Sequence, residues 1–304
     1  MMVKGRNEGR NEGRNEGRNE GRNRRASRTV TPFSRARRAA QDLSVAQRKH
    51  LIHGLLEADV TLARSLIGRY ERRTGIRLSF TAFIITCVAR AVEEQKSIQA
   101  YRQGRRRLVI FDDVDVTTLV EQEVDGRTQV TFHIVRAANS KSLLVIHREI
   151  RAATSRRTRG AQEIGVRIYN LTPGPLRRLA IRIAARTPSL WKRFGGTVAV
   201  TAVGMYGEGG GFGIPITCNT LDVTVGGIGK KPRLLDGKVV EREFLSLTVS
   251  VDHDVVDGAP ATRFASRLRE LIESARGLAK LAPGEDSAAE PAVTLTTIAQ
   301  APSR

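Results

Sequence analysis

The segment of residues 245–278 constrains the fold of this chain more than any other part. An apolar stretch at 245–251 runs into a short acidic turn at 252–258, and a long amphipathic helix follows at about 260–278. The composition of the first stretch favours a strand, and a helix that follows a strand in this way covers a sheet with its apolar side. His253 lies at the junction of the strand and the turn.

His253 is surrounded in sequence by three carboxylates, those of Asp252, Asp254 and Asp257. A single histidine after a strand is most often structural. Here, however, it stands where a rigid scaffold presents catalytic groups, and neighbouring carboxylates can orient and tune an imidazole. We interpret His253 as a candidate catalytic residue.

The remaining folded part alternates between the two hydrophobic periodicities. This alternation predicts a single α/β or α+β domain over residues 31–281, with a mixed sheet covered by helices. Helices are predicted at residues 62–73, 82–94 and 143–153, and strands at 53–61, 108–111, 114–120, 129–135, 197–203, 222–228 and 234–240.

A basic amphipathic segment at residues 175–194 carries Leu176, Leu179, Ile183 and Trp191 against several arginines. Such a segment either lies on an anionic membrane surface or covers a sheet with its apolar side. Pro188 interrupts the segment and weakens the membrane interpretation. We therefore expect it to cover the sheet.

Both ends of the chain are predicted to be disordered. Residues 5–20 repeat Gly-Arg-Asn-Glu four times without an apolar side chain, so residues 1–30 form an arm that cannot offset the entropy of ordering. Residues 282–304 are small, polar and interrupted by proline. The net charge of +20 makes nucleic acid a candidate partner of the arm, although a basic extension produces such a charge without any polyanion function.

The two cysteines, Cys87 and Cys218, form no metal-ligand spacing and no disulfide framework, and Cys87 lies in an apolar run that indicates the core. No metal site is expected. No apolar run is long enough to span a bilayer, and no secretory signal follows the first residues. We expect a cytoplasmic protein.

The turn has the pattern DHxxxDG, preceded by Leu-Ser-Leu, and resembles the catalytic signature of the 2-oxo acid dehydrogenase acyltransferases and of chloramphenicol acetyltransferase. Three further stretches are similar to segments of the same acyltransferases: GGTVAVTAVG at 195–204, FGIPI at 212–216 and GGIGKKPRLLDG at 226–237. The resemblance implies a chloramphenicol acetyltransferase-like sandwich. It covers about residues 33–280 and is strongest from Gly195 onward.

The resemblance also implies a function. His253 is the general base that deprotonates a thiol, Thr201 stabilises the oxyanion, and Asp257 holds the turn and the imidazole. The substrate is a coenzyme A thioester, the acceptor is a thiol such as dihydrolipoyl carried by a separate protein, and the enzyme is a homotrimer or a multiple of trimers. In this family the histidine and the hydroxyl come from neighbouring subunits.

The chain departs from the family pattern at Asp254, where the family has arginine. A carboxylate beside the imidazole is expected to raise the pKa of His253. Neither a lipoyl domain nor a peripheral-subunit-binding domain is visible, so a free-standing catalytic domain is expected, and its membership of a dehydrogenase complex stays open. The alternatives are transfer to a hydroxyl or amine, and a degenerate oligomeric scaffold whose basic arm binds nucleic acid.

Overall fold

The computed structural model describes residue 42 and residues 49–104, 106–124, 127–155, 171–203 and 209–281. The arm at 1–30 and the tail at 282–304, both predicted to be disordered, lie outside these ranges. None of the helices within the described ranges is long and apolar enough to cross a membrane.

A six-stranded mixed sheet forms the centre of the fold, with the strand order β1-β8-β7-β6-β4-β5. The neighbours β4, β6 and β7 are parallel, and the other pairs are antiparallel. A separate two-stranded hairpin is formed by β2 and β3. The strands are β1 Leu51–Asp59, β2 Tyr101–Gln103, β3 Arg107–Val109, β4 Val116–Val124, β5 Arg127–Val135, β6 Val198–Ala202, β7 Leu221–Leu235 and β8 Lys238–Asp252.

Six α-helices accompany the strands in the described part: α1 Thr61–Thr74, α2 Phe80–Glu94, α3 Leu143–Ser155, α4 Gly174–Arg186, α5 Pro188–Gly195 and α6 Gly258–Glu273. Short 3-10 turns lie at Lys96–Gln99, Ala138–Ser140 and Ala279–Leu281. The predicted α/β fold with a mixed sheet and covering helices is therefore confirmed.

The apolar core lies between one face of the sheet and helices α2 and α6. Alternate residues of β7 and β8, such as Val223 and Leu247, point into it because side chains of a strand alternate between faces. Helix α2 is central to this core and is apolar on nearly every side, so that Cys87 is buried as predicted. It begins at Ser79, whose hydroxyl accepts a hydrogen bond from the Ala82 amide at 3.3 Å.

The strand predicted at 234–240 is wrong, because a hairpin turn lies in its middle. Strands β7 and β8 pair up to Leu235 and Lys238, and the turn between them consists of Asp236 and Gly237. Both turn residues have positive φ, 49° and 75°, as a two-residue turn of type I′ requires. Asp-Gly is the sequence signal for this turn, and it outweighs the apolar residues on either side.

The expectation that residues 175–194 cover the sheet is wrong for the first part of that segment. Helix α4 buries none of its residues, whereas α5 buries Pro188 and Trp191. The Trp191 indole donates a hydrogen bond to Asn219 Oδ1 at 2.8 Å, which fixes α5 to the loop before β7. Of these two helices, α5 alone packs buried side chains against the rest of the fold.

Candidate active site

His253 follows the last residue of β8 and has an exposed side chain. Its backbone amide donates a hydrogen bond to the carbonyl oxygen of His50 at 2.7 Å, because the residues before β1 run alongside the turn. The first residue pair of β1 and β8 is Leu51 with Asp252. The histidine is thus presented at the end of strand β8, at the junction of strand and turn that the sequence predicts.

Asp252 holds the turn in place. Its Oδ1 accepts a hydrogen bond from the Asp254 amide at 3.2 Å, and its Oδ2 accepts one from Lys49 Nζ at 3.1 Å. Its backbone carbonyl accepts the amides of Val255 and Val256, both at 3.0 Å. The aspartate before the histidine, which the sequence indicated only as one of three nearby carboxylates, therefore fixes the path of the chain.

The Asp254 carboxylate is paired with two side chains on the outside of the turn. His50 Nδ1 lies 2.9 Å from its Oδ1, and one Arg102 guanidinium nitrogen lies 3.9 Å from its Oδ2. The hydrogen bond with His50, and then the charges of His50 and Arg102, lower the pKa of Asp254. The predicted effect of this carboxylate on the His253 imidazole stays a prediction.

Asp257 is the residue directly before helix α6. Its carbonyl oxygen accepts a hydrogen bond from the Ala261 amide at 3.2 Å, but its exposed side chain makes no capping hydrogen bond to the helix. Its predicted role of holding the imidazole is therefore a proposal about the assembled site.

Thr201 lies near the end of β6, and within a single copy of the chain it is far from His253. Thr201 pairs with Thr224 of β7, which in turn pairs with Thr248 of β8, five residues before His253. Five residues along a strand and two strand spacings across the sheet separate the two side chains by about 19 Å. The catalytic pair predicted from the sequence does not form within a single copy.

On the side of β5, the sheet face that carries Thr201 has exposed apolar side chains. Val203 lies two residues further along the chain, and Phe132 and Val130 project from β5, and all three are exposed. Phe132 pairs with Leu119 of β4, which places it on the face of the sheet away from the core. These three side chains leave exposed apolar surface on the sheet face that carries Thr201.

Asp222 is a buried carboxylate that the sequence analysis missed. It lies on β7 opposite Ser250 of β8, and burial raises its pKa to about 7, against the opposing effects of Lys49 and of the Cys218 and Asn219 amides. Within the described ranges, its Oδ2 and the hydroxyls of Thr224 and Thr248 have no hydrogen-bond partner. No sequence signal distinguishes Asp222 from the surface aspartates, because its burial depends on the loop that packs over it.

A glycine contact holds the loop at 209–216 against the sheet. A Cβ at Gly226 would lie 2.1 Å from the Gly211 carbonyl oxygen, so only glycine allows this approach. The contact coincides with a bulge between Val225 and Ile228, and Gly211 bridges to Gly227. The loop then presents Phe212, Ile214 and Ile216 to solvent.

This chain is similar to known acyltransferases in sequence and in fold. A lipoamide acyltransferase component of the branched-chain alpha-keto acid dehydrogenase complex from Bacillus subtilis is 24% identical over 225 residues, which are 72% of this chain and 46% of that protein. The chain thus spans about half the length of the curated relatives it matches. A probable dihydrolipoamide acetyltransferase from Listeria monocytogenes has a TM-score of 0.58 at 21% identity, covering 82% of this chain and 96% of that chain.

A structure of dihydrolipoamide acetyltransferase from Azotobacter vinelandii has a TM-score of 0.60 at 19% identity, covering 83% of this chain and 94% of that chain. It concerns the role of a serine, a histidine and an asparagine in the catalytic mechanism of that enzyme. The described part of this chain therefore has the fold of acyltransferase catalytic domains. The family model for the 2-oxoacid dehydrogenases acyltransferase catalytic domain matches residues 176–279, so the predicted resemblance is confirmed over these residues.

Proposed function

We propose that this protein is an acyltransferase that moves an acyl group between coenzyme A and a thiol acceptor such as a dihydrolipoyl group on another protein. The observation that carries this proposal is His253, which a rigid turn presents inside the family's catalytic signature, within the matched residues 176–279. The basic character of the chain suits the phosphates of coenzyme A.

In the proposed reaction, His253 accepts the proton of the acceptor thiol, and the thiolate sulfur attacks the carbonyl carbon of the acyl thioester. The carbonyl oxygen becomes an oxyanion, to which the Thr201 hydroxyl donates a hydrogen bond. The tetrahedral intermediate collapses by breaking the bond between this carbon and the coenzyme A sulfur. The imidazolium then gives its proton to the leaving thiolate, and the histidine is neutral again.

The spacing of the three residues supports their assignment. In the Azotobacter enzyme, the serine lies 52 residues before the histidine and the asparagine four residues after it. In this chain, Thr201 lies 52 residues before His253, and Asp257 lies four residues after it. A threonine hydroxyl donates a hydrogen bond as a serine hydroxyl does. We assign Asp257 to the support of the turn and not to proton transfer.

We further propose that the active site lies between two copies of the chain in a homotrimer. His253 and Thr201 are about 19 Å apart by strand spacing, so His253 of one copy must meet Thr201 of another. The exposed apolar side chains around Thr201, including Phe132 and Val203, support a contact on this face. The symmetry of a closed ring then completes three equal sites.

The test measures the formation of free coenzyme A and of acyl-dihydrolipoamide, separated by chromatography, from acetyl-coenzyme A or longer acyl thioesters with dihydrolipoamide as acceptor. Loss of a general base lowers the rate by about 10² to 10⁴, and loss of one oxyanion donor by about 10² to 10³, so we expect His253→Ala and Thr201→Val to show these losses. His53→Gln is the matched control, because this histidine lies on β1 and contacts Ser250 of β8, at 2.8 Å, and not the turn. It should keep the wild-type rate.

Co-expression of His253→Ala and Thr201→Val chains tests the shared site. If each site takes its histidine and its threonine from different copies, about a quarter of the sites in a random mixture are intact, and activity returns. No return of activity in mixed oligomers would contradict a shared site. Equal inertness of wild type and His253→Ala with every thioester and acceptor would instead support the degenerate scaffold.

A further inference from the structure

Helix α4 carries an apolar stripe that the described structure leaves uncovered. Leu176, Leu179 and Ile183 lie on one side of the helix, because residues three, four and seven positions apart share a helical face. Their side chains are 55%, 50% and 54% exposed. An aliphatic stripe of this kind is normally the buried side of a helix. We call these three residues the α4 stripe.

The surroundings of the α4 stripe are strongly basic. Residues 171–195 contain six arginines and lysines and no aspartate or glutamate. Arg177 and Arg178 bind the Asp42 carboxylate at 2.9 and 3.1 Å, on the side of the helix away from the stripe. Arg182 and Arg186 are exposed and lie three residues after Leu179 and Ile183, so they border the stripe.

The pattern of charge decides between the partners that such a helix fits. A second copy of the chain has the same net charge of +20 and the same basic segment, which opposes contact between equivalent faces. The phosphates of a nucleic acid would pair with the arginines, but they would leave the three aliphatic side chains without an apolar contact. An anionic lipid surface fits both the aliphatic side chains and the arginines. The aliphatic side chains enter the boundary of the acyl chains, and the arginines remain among the headgroups.

We infer that helix α4 binds the surface of an anionic membrane, with the α4 stripe inserted and with Arg182 and Arg186 in the headgroup layer. The helix lies in the plane of the surface and does not span the bilayer. Attachment through one short helix is reversible, and it weakens as salt screens the arginines. This inference is independent of the acyltransferase proposal, because α4 contains none of the residues assigned to the reaction.

Co-sedimentation of the full chain with vesicles tests the inference. The vesicles are pure phosphatidylcholine, or phosphatidylcholine with one third phosphatidylglycerol. We expect binding only to the anionic vesicles, and about a tenfold weaker affinity when Leu176→Ser, Leu179→Ser and Ile183→Ser are combined. The pair Arg182→Gln and Arg186→Gln should weaken binding and flatten its salt dependence. Because all these side chains are exposed, circular dichroism should show unchanged folding.

The matched control is the pair Leu234→Ser and Val239→Ser, on the hairpin of β7 and β8. These side chains are aliphatic and exposed by 67% and 73%, but they lie outside α4. The control should bind anionic vesicles as the wild type does. The inference is overturned if the control loses as much affinity for anionic vesicles as the triple serine variant does. It is also overturned if the wild type binds both kinds of vesicle equally.

Two further outcomes would also overturn it. If the triple serine variant lowers the oligomeric mass while no vesicles are bound, the α4 stripe is an interface between copies. If the serine variant keeps the wild-type affinity for anionic vesicles, charge alone accounts for the attraction and the stripe has no part in it.

Discussion

Replacement of Asp222 by asparagine should change how the stability of the protein depends on pH. The carboxyl group has a pKa of about 7 in the folded protein, because burial disfavours its charged form, against the reference value of 3.8. Below pH 4 the carboxyl group is protonated in both the folded and the unfolded chain, so it does not make the free energy of unfolding depend on pH. Between pH 4 and 7 it ionises only in the unfolded chain, so stability falls with rising pH until the folded pKa is passed.

The difference between the two pKa values sets the size of the effect. At 1.36 kcal/mol per pKa unit, it amounts to about 4 kcal/mol, fully developed above pH 7. Asparagine has nearly the same shape and can accept the Cys218 and Asn219 amides, but it does not ionise. The variant should therefore match the wild type near pH 4 and exceed its free energy of unfolding by up to about 4 kcal/mol at pH 8.

Urea unfolding at fixed protein concentration, repeated from pH 4 to pH 8, measures this difference. Asp236→Asn is the control, because Asp236 lies in the exposed turn between β7 and β8. The control should follow the wild type at every pH. A constant difference between Asp222→Asn and the wild type across this range would show that Asp222 does not bind its proton in the folded state, and the reasoning would be refuted.

Three other substitutions test separate features. Gly226→Ala forces a methyl group against the Gly211 carbonyl, and should destabilise the protein by about 1–3 kcal/mol in thermal unfolding; an unchanged Tm would show that the loop packs differently. Phe264→Ala empties a buried site between α6 and the core and should cost about 3–5 kcal/mol in urea unfolding, whereas a loss below 1 kcal/mol would contradict the packing of α6. His50→Ala removes one of the two partners of Asp254 at an exposed position, and should lower kcat by about tenfold to a hundredfold while leaving Tm unchanged; an unchanged kcat would show that this pair does not position the turn.

Local sequence patterns were sufficient to predict much of the fold and the position of the candidate base. The strand, turn and helix that contain His253 are adjacent in sequence, and the apolar periodicity of each reports its own burial. The start of helix α2 is also a local feature, since the capping side chain of Ser79 acts within one turn. Thr201 and Asp257 were reached only through the resemblance to a family, because neither residue has a local signal of its own.

The tertiary structure decided what depends on pairing between distant residues. The register that joins β6 to β7 and β7 to β8 separates Thr201 from His253 by about 19 Å, so one copy does not bring the two residues of the proposed site together. The loop before β7 buries Asp222, and the sheet is covered by α2 and α6 and not by α4. An amphipathic pattern shows that a helix has an apolar side, but only the packing of the whole chain determines whether that side faces the core or is left exposed.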